Sequence, residues 1–548
     1  MLSELLSKLM QKKTMEILLF LLCCLFIISS SVNHVNVSRQ SLLLIIIFLS
    51  LYFMLRFACV EQGNLLFYII YIIIVIWGIE EAICGILQVY KILPSNHSLF
   101  ATTGHFKNPG PYAGFLSFTS SVEFAYLMSK SSIPLNGGFI AKEVKVIKIV
   151  TSVGLFLAMI IMPATMSRSA WISFGLSCMA FLFCFNAYIR SFVLRNMHYL
   201  GLSLIAICFL LALFKTESFI GRFHIWNMDI RAMLDNPCLG VGYGASMGAY
   251  ASAQEFFFKS KERPLSVIEL AGCPEYPFNE YLGIGMQTGI IGFSLSLIIV
   301  MLICFKLYRC CRPFFCGAVS LAIFSLSSYT LCVWQLVVCI IFCMVLSDLD
   351  VEDNTANKGK MSHLLCETLI ITFLSIICVS SLVYSKTQHY VDDMLMMADY
   401  NIACKNNDDA IDQYSKIQDL VANTDYLFNY GKALYKSGRY YESILILSSG
   451  FRISCDPMFP IMIGKCFEEL GDYAGAEEYY FQSHFMAPSR LYPYLLIVHL
   501  YERLGRNKDA LNVCQEALQL PVNTNVTAMV ETHRMIENEY RSLCQDEK

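Results

Sequence analysis

Apolar positions fall into long, nearly unbroken runs up to residue 385 and into short, interrupted runs after residue 395. Roughly eleven of the early runs hold about 17 to 25 residues, enough to cross a hydrocarbon core about 30 Å thick. They lie near 15–31, 41–60, 65–90, 110–130, 146–164, 168–189, 199–214, 280–308, 312–328, 329–347 and 366–385. Past residue 395, Gly438, Gly471 and Gly505 recur at spacings of 33 and 34 residues, the period of stacked helical hairpins. Ser443, Ala476 and Ala510 follow them five positions later, and a weaker copy upstream has Lys405 in the glycine place and Ala410 five later. A glycine frees the turn, and the small residue lets the two helices approach. The pattern predicts an all-α protein: a polytopic transmembrane helix bundle over 1–385 followed by a helical-hairpin solenoid over 395–548.

Charge orients the bundle. Lys8, Lys12 and Lys13 precede the first run, which lacks a convincing cleavage site and reads as a retained anchor starting in the cytoplasm. The loops then predicted inside carry Arg56, next Lys130, Lys142, Lys145 and Lys148, next Arg190 and Arg195, and finally Lys306, Arg309 and Arg312, the positive-inside bias. External loops fall near 91–109, 165–168 and 215–279, and an odd number of spans places the solenoid outside too. No ATP is available there. The chemistry open to external residues narrows to transfer from a lipid-activated donor, hydrolysis, or passive passage of a solute.

Composition agrees with the pattern, since 56% apolar and 15% charged residues cannot be packed into soluble domains. A net charge of −3 without a long basic run argues against a nucleic-acid partner. Most of the 23 cysteines sit inside apolar runs, where a thiol behaves as a small hydrophobe. Cys238 and Cys273 share the long external loop and could bridge there.

Four external clusters carry candidate chemistry. The stretch from Thr103 to Gly114 holds His105, Lys107 and Asn108 among three glycines and two prolines, a turn composition that could position an anionic headgroup. Thr165 to Trp171 is a short connection that keeps Arg168 near the bilayer, where a guanidinium seeks phosphate or carboxylate. Arg222 and Trp226 share a helical face, with His224 between them, ahead of Asn236-Pro237-Cys238-Leu239-Gly240-Val241-Gly242. Glycines there allow close approach to a ligand or to a neighbouring chain. Tyr276, Asn279 and Glu280 lead into the eighth span, where asparagine and glutamate also suit a helix cap. Glu80, Glu81, Glu123 and Gln335 lie within spans, and the sequence names no partner for them.

In this order the clusters resemble the O-antigen ligase and O-antigen polymerase superfamily. The shared features are a Gly-x-Phe-x-Asn-Pro turn, a Ser-Arg turn, an Arg-x-x-x-Trp helix before Asn-Pro-x-x-Gly-x-Gly, and an Asn-Glu-Tyr-Leu span start, over roughly 100–295. The C-terminal pattern resembles tetratricopeptide repeats, which commonly bind proteins. The resemblance implies a membrane glycosyltransferase of the bacterial inner membrane that takes a glycan from undecaprenyl pyrophosphate, with no metal or other cofactor. Its acceptor would be lipid A core, another glycan, or a protein hydroxyl.

It also implies roles. Arg168 and Arg222 would neutralise the donor pyrophosphate, while Lys107, Asn108, His224, Trp226, Tyr276 and Asn279 would line the substrate site. Many members carry a histidine before the asparagine matching Asn279; here that position is Phe278. His105 or Glu280 would then serve as base. Two alternatives are a polymerase joining glycan repeats and an inactive membrane scaffold acting through the solenoid.

Overall fold

The computed structural model describes residues 12–35, 37–129, 141–196, 216–349, 363–522 and 526–546. The expected span near 199–214, with Lys8 and Lys130, lies outside them. Every regular element among the described residues is helical. The membrane half comprises α1 (Lys12–Val32), α2 (Arg39–Val89), α3 (Pro109–Met128), α4 (Ala141–Ile161), α5 (Arg168–Phe185), α6 (Ala187–Arg195), α7 (Thr216–Asp235), α8 (Ser246–Lys259), α9 (Leu265–Ile268), α10 (Glu280–Cys310), α11 (Arg312–Phe324) and α12 (Trp334–Leu346).

Seven stretches among the described residues are long and apolar enough to cross a bilayer: Thr14–Val32, Arg39–Cys59, Gly63–Val89, Val144–Thr165, Arg168–Phe185, Glu280–Cys310 and Glu367–Ala403. The protein is therefore a multi-pass membrane protein. The runs expected at 41–60 and 65–90 follow one another within the single helical element α2. α3 is almost wholly buried in the bundle. Serines line its path: Ser117 bonds Ser173 of α5 and Ser320 of α11, and Ser121 bonds Ser177, each at 2.8 Å. Small hydroxyl residues that satisfy one another let three helices pack closely. α11 and α12, expected as spans 312–328 and 329–347, are apolar helices of 13 residues each, because the polar run Ser325-Leu326-Ser327-Ser328-Tyr329-Thr330 leaves the helix between them.

α10 joins two distinct ends of this bundle. Near its C-terminus Lys306 Nζ meets Asp348 Oδ1 at 2.6 Å, Arg56 reaches Asp348 Oδ2 at 3.3 Å, and Arg56 also meets Glu16 at 3.6 Å. Two cations expected on the cytoplasmic face thus share one carboxylate. Glu280 begins α10 some 26 residues away, roughly 39 Å along a helix, and the remaining candidate residues gather at that end. Asp348→Ala should leave two nearly buried cations short of an anion and lower stability by about 3 to 5 kcal/mol, readable as a depressed Tm in detergent.

The second half begins inside α13 (His363–Ala403), a single helix that crosses the boundary expected at 385–395. Its C-terminal turns carry Val391 and Ala398 into the repeat core. Beyond it run α14 (Asn407–Lys416), α15 (Thr424–Lys436), α16 (Tyr440–Phe451), α17 (Met458–Glu469), α18 (Tyr473–Met486), α19 (Tyr492–Arg503), α20 (Asn507–Leu518) and α21 (Thr527–Asp546). Helix pairs α15–α16, α17–α18 and α19–α20 are the three glycine-spaced hairpins, with Gly438, Gly471 and Gly505 at φ +77°, +79° and +70°. Lys405 adopts the same left-handed turn at φ +62°, so the weaker upstream copy folds as a hairpin without its glycine. Ala410, Ser443, Ala476 and Ala510 are all fully buried, as close helix crossings require. The solenoid is tetratricopeptide-like.

One buried histidine is expected to make this array acid-sensitive. His484 is enclosed by Phe485 and Tyr494, its Nδ1 has no hydrogen-bond partner among the described residues, and burial pushes its pKa down to about 4. The neutral ring is the form the fold accepts. Its contribution is therefore complete above the unfolded pKa near 6.5 and is lost as pH falls from there toward 4, up to about 3 kcal/mol. His484→Phe should flatten that part of the stability–pH curve.

Candidate active site

The site is built around the loop 325–333, which sequence reading placed inside apolar spans. Its backbone and Tyr329 collect residues from three of the four clusters that the sequence singled out. The Glu280 N–H donates to the Ser325 carbonyl at 2.9 Å. In return the Leu331 N–H donates to Glu280 Oε2 at 3.1 Å. Arg222 Nη1 donates to the Ser327 carbonyl at 3.2 Å. Tyr329 stacks on Tyr276 with ring centroids 4.0 Å apart, meets Phe278 edge-on, and accepts from Asn108 Nδ2 at 3.0 Å.

Arg168, at the first turn of α5, lies close enough for its charge to act on Arg222. Burial pushes the Arg222 guanidinium below its ordinary pKa, and the positive charge of Arg168 pushes it further. The two guanidiniums concentrate positive charge on a partly buried surface, which a bound anion would offset. Glu280 is held by the loop backbone.

Phe278 holds a strained backbone, φ +49°, uncommon for a bulky residue. The strain is held by the Trp226 indole N–H, which donates to the Phe278 carbonyl at 3.3 Å, and by the ring against Tyr329. That conformation sets the ring under the Arg222 guanidinium, 5.5 Å from its centroid. Phe278 thus faces Arg222. Asn279 is a helix cap whose side chain accepts from the N–H groups of Tyr281 and Leu282 at 3.1 and 3.2 Å.

The turn at 103–112 is fastened to the end of α2. Gln88 Oε1 accepts from both Thr103 N–H and Gly104 N–H at 2.8 Å, and the His105 N–H donates to Glu81 Oε2 at 3.1 Å. Gly104 sits at φ +55°, and a Cβ there would lie 2.3 Å from Glu81 Oε2, so only glycine fits. His105 Nδ1 then lies 3.3 Å from a carboxylate oxygen of each of Glu80 and Glu81. The sequence left those glutamates without a partner, and the structure supplies it. A carboxylate on Nδ1 favours the tautomer whose Nε2 is an acceptor, and the Cys84 thiol lies 3.9 Å from that nitrogen. His105 is exposed while Glu81 is buried, so the ring is anchored from within and open to the outside. Glu80, Glu81 and His105 also place ligand atoms within 4.8 Å of one another, a spacing a divalent cation could use. Lys107 is exposed on the same turn.

His224 lies apart from this group. It faces α8, with Nε2 3.2 Å from Gln254 Oε1 and its ring against Phe257 and Phe258. Burial lowers its pKa, partly offset by the Gln254 bond. Two residues along a helix is about 200° of rotation, which explains why sequence neighbours diverge.

The glycine run serves a neighbouring chain. α10 is interrupted at Gly289 (φ +75°, ψ −173°). Freed carbonyls of Met286 and Gln287 accept from Val241 and Gly242 N–H at 2.9 and 3.1 Å, and Ile290 N–H donates to the Pro237 carbonyl at 2.8 Å. A Cβ on Gly240 would meet the Gln287 backbone at 2.4 Å. Gly240→Ala should therefore destabilise the protein by about 3 kcal/mol or more. Gly244→Ala, where the space is open, should cost only about 1 to 2 kcal/mol for its φ. Thermal denaturation of the two variants separates these effects.

Residues 153–297 match a family model described as O-antigen ligase. This segment of the membrane half is similar to O-antigen ligases. The matched segment contains Arg168, Arg222, His224, Trp226, Tyr276, Asn279 and Glu280, while the His105 turn lies before it. This similarity supports a membrane glycan-transfer role. No curated protein matches the chain. Among solved structures, PcrH in complex with the chaperone binding region of PopD is 19% identical, covering 22% of this chain and 91% of that one, with a TM-score of 0.20. A crystal structure of MamA is 16% identical, covering 29% of this chain and 95% of that one, with a TM-score of 0.23.

Proposed function

We propose that the protein transfers a glycan from undecaprenyl pyrophosphate to an acceptor hydroxyl on the external face of a bacterial inner membrane. The observation that carries the reading is the Arg168–Arg222 pair, two cations held within each other's field beside an aromatic wall. A pyrophosphate relieves that repulsion, and its charge grows as the bond to the sugar breaks, so the pair favours the transition state over the ground state. Tyr276, Phe278, Tyr329 and Trp226 form the wall on the same side, suited to sugar faces and the first isoprene units.

His105 is the base in this proposal. Its Nδ1 is held by Glu80 and Glu81, and Nε2 takes the proton of the acceptor hydroxyl as that oxygen attacks the anomeric carbon. The leaving group departs as undecaprenyl pyrophosphate. Glu280 and Asn279 act as positioning residues: the first fixes the loop that supports Arg222, the second caps α10. Lys107 and Asn108 border the site from the His105 turn. The same turn could alternatively hold a cation, and the two cases separate in one assay. With purified protein in liposomes and a lipid-linked glycan, release of undecaprenyl pyrophosphate should persist in excess chelator and fail in His105→Ala. Loss of transfer on chelation, restored by a divalent cation, would overturn the base assignment.

The solenoid packs on α8 of the external loop. Gln254 Nε2 donates to the Met486 carbonyl, Gln482 Nε2 donates to Glu255 Oε2 at 2.9 Å, and a Cβ on Gly248 would strike the Arg452 carbonyl. This contact supports an extracytoplasmic solenoid next to the site, where it would hold an acceptor or a partner protein. Lipid A core, a growing glycan and a protein hydroxyl all remain acceptors of the required chemistry.

A further inference from the structure

The external loop and the solenoid each bring one cysteine to their shared surface. Cys455, in the connection between α16 and α17, is buried, and its thiol lies 3.2 Å from the carbonyl oxygen of Pro274. Pro274 directly follows Cys273, and the Cys273 thiol is in hydrogen-bonding contact with that of Cys455. Both belong to one apolar cluster with Met247, Tyr250, Ala251 and Met486. Cys238, the partner the sequence offered for Cys273, lies instead at the Pro237–Gly289 junction of α10.

We infer that Cys273 and Cys455 form a disulfide that fastens the solenoid to the external loop of the membrane half. The inference rests on the extracytoplasmic placement of the solenoid proposed above, since disulfides persist in oxidising compartments. The surrounding contacts hold the pair together independently of any bond. Gly248 admits the Arg452 backbone, and Gln254 ties α8 to the end of α18. Of the two thiols, Cys273 is the one held below its ordinary pKa, first by the hydrogen bond with Cys455, against burial, and with help from Arg490. It is also the more exposed, so it suits the first step.

The chemistry requires a disulfide-bearing oxidant, an oxidised dithiol protein of the envelope. The Cys273 thiolate attacks one donor sulfur and releases the other as a thiolate. Cys455, after losing its proton, then attacks Cys273 sulfur in the mixed disulfide and displaces the second donor thiolate. The donor leaves as a dithiol carrying the two electrons and two protons of the new bond.

The test uses the full chain in native membranes. Free thiols are blocked with an alkylating maleimide before lysis, and the protein is digested without reductant and mapped by mass spectrometry. A peptide pair joined through Cys273 and Cys455 is expected, and it should vanish on reduction. Cys178 and Cys316, whose thiols also adjoin inside the bundle, provide a control pair that should be recovered as separate, unlinked peptides. In parallel, exposed Cys404 is probed with a membrane-impermeant maleimide on intact spheroplasts. Alkylated Cys273 and Cys455 with Cys404 labelled from outside would overturn the bridge and leave the topology standing. The same thiols alkylated with Cys404 protected until lysis would overturn both. A second readout is stability: reductant should lower the Tm of wild type, and Cys273→Ser and Cys455→Ser should each remove that sensitivity.

Discussion

Arg222→Ala is expected to lower the rate of glycan transfer about 10²- to 10³-fold, the usual cost of deleting one preorganised charge at a developing anion. Arg168→Ala should do the same. The double variant should fall well short of the product of the two losses, because both guanidiniums grip one pyrophosphate. Arg222→Lys should recover little, since an ammonium cannot present the planar fork. Stability should move differently from rate. Burial and the neighbouring Arg168 charge already disfavour the charged Arg222, so removing either cation relieves repulsion. The Ser327 carbonyl bond lost with Arg222 is worth about 1.5 to 3 kcal/mol, which the relief of repulsion offsets in part. Initial rates of undecaprenyl pyrophosphate release, with Tm measured on the same preparations, check this. A large loss of Tm without a separate catalytic loss would assign the arginines a structural role.

His105→Ala is expected to reduce kcat by about 10²- to 10⁴-fold, the range for removing a positioned base, with KM for the lipid-linked donor little changed. The split follows from the division of labour: the arginine pair holds the donor, while the histidine acts on the acceptor. Glu81→Gln should reproduce part of the loss, because Glu81 accepts both from the His105 N–H and, with Glu80, from Nδ1. Glu80→Gln, on the more exposed side, should be milder. The check is steady-state kinetics with donor and acceptor varied separately. A rise in donor KM with unchanged kcat would place His105 in donor binding instead.

Much of the architecture was legible because its signals are periodic. Apolar runs of bilayer length and glycines 33 and 34 residues apart each report one repeated physical demand. Lys405 shows the limit: the small residue five positions later marked the hairpin although a lysine occupies the left-handed turn. The loop at 325–333 was not legible because its Ser, Thr and Tyr are only mildly polar and are interspersed with Leu, Cys and Val, and nothing local tells a span from two short helices with a loop between them. The contact of Tyr329 with Asn108 crosses 221 residues, and those with Tyr276 and Phe278 join segments far beyond any local pattern. Glu81 had chemistry without an address for the same reason. Arg222 and His224 stood together in sequence and part in space, since a helix turns its second neighbour to the far side. Asn279 and the Gly240–Gly242 run each had two readings, ligand or backbone, and the structure uses them for a cap and for the break in α10.

The central claim is that the arginine pair discharges a lipid-linked glycan. Its most direct test is the cellular pool of undecaprenyl-pyrophosphate-linked glycan in a deletion strain, complemented at matched expression with wild type, Arg168→Ala or Arg222→Ala. The account predicts that the donor accumulates in the deletion and with either variant, and falls to its normal level with wild type. An unchanged donor pool in the deletion itself, in a strain with no second transferase, would contradict it.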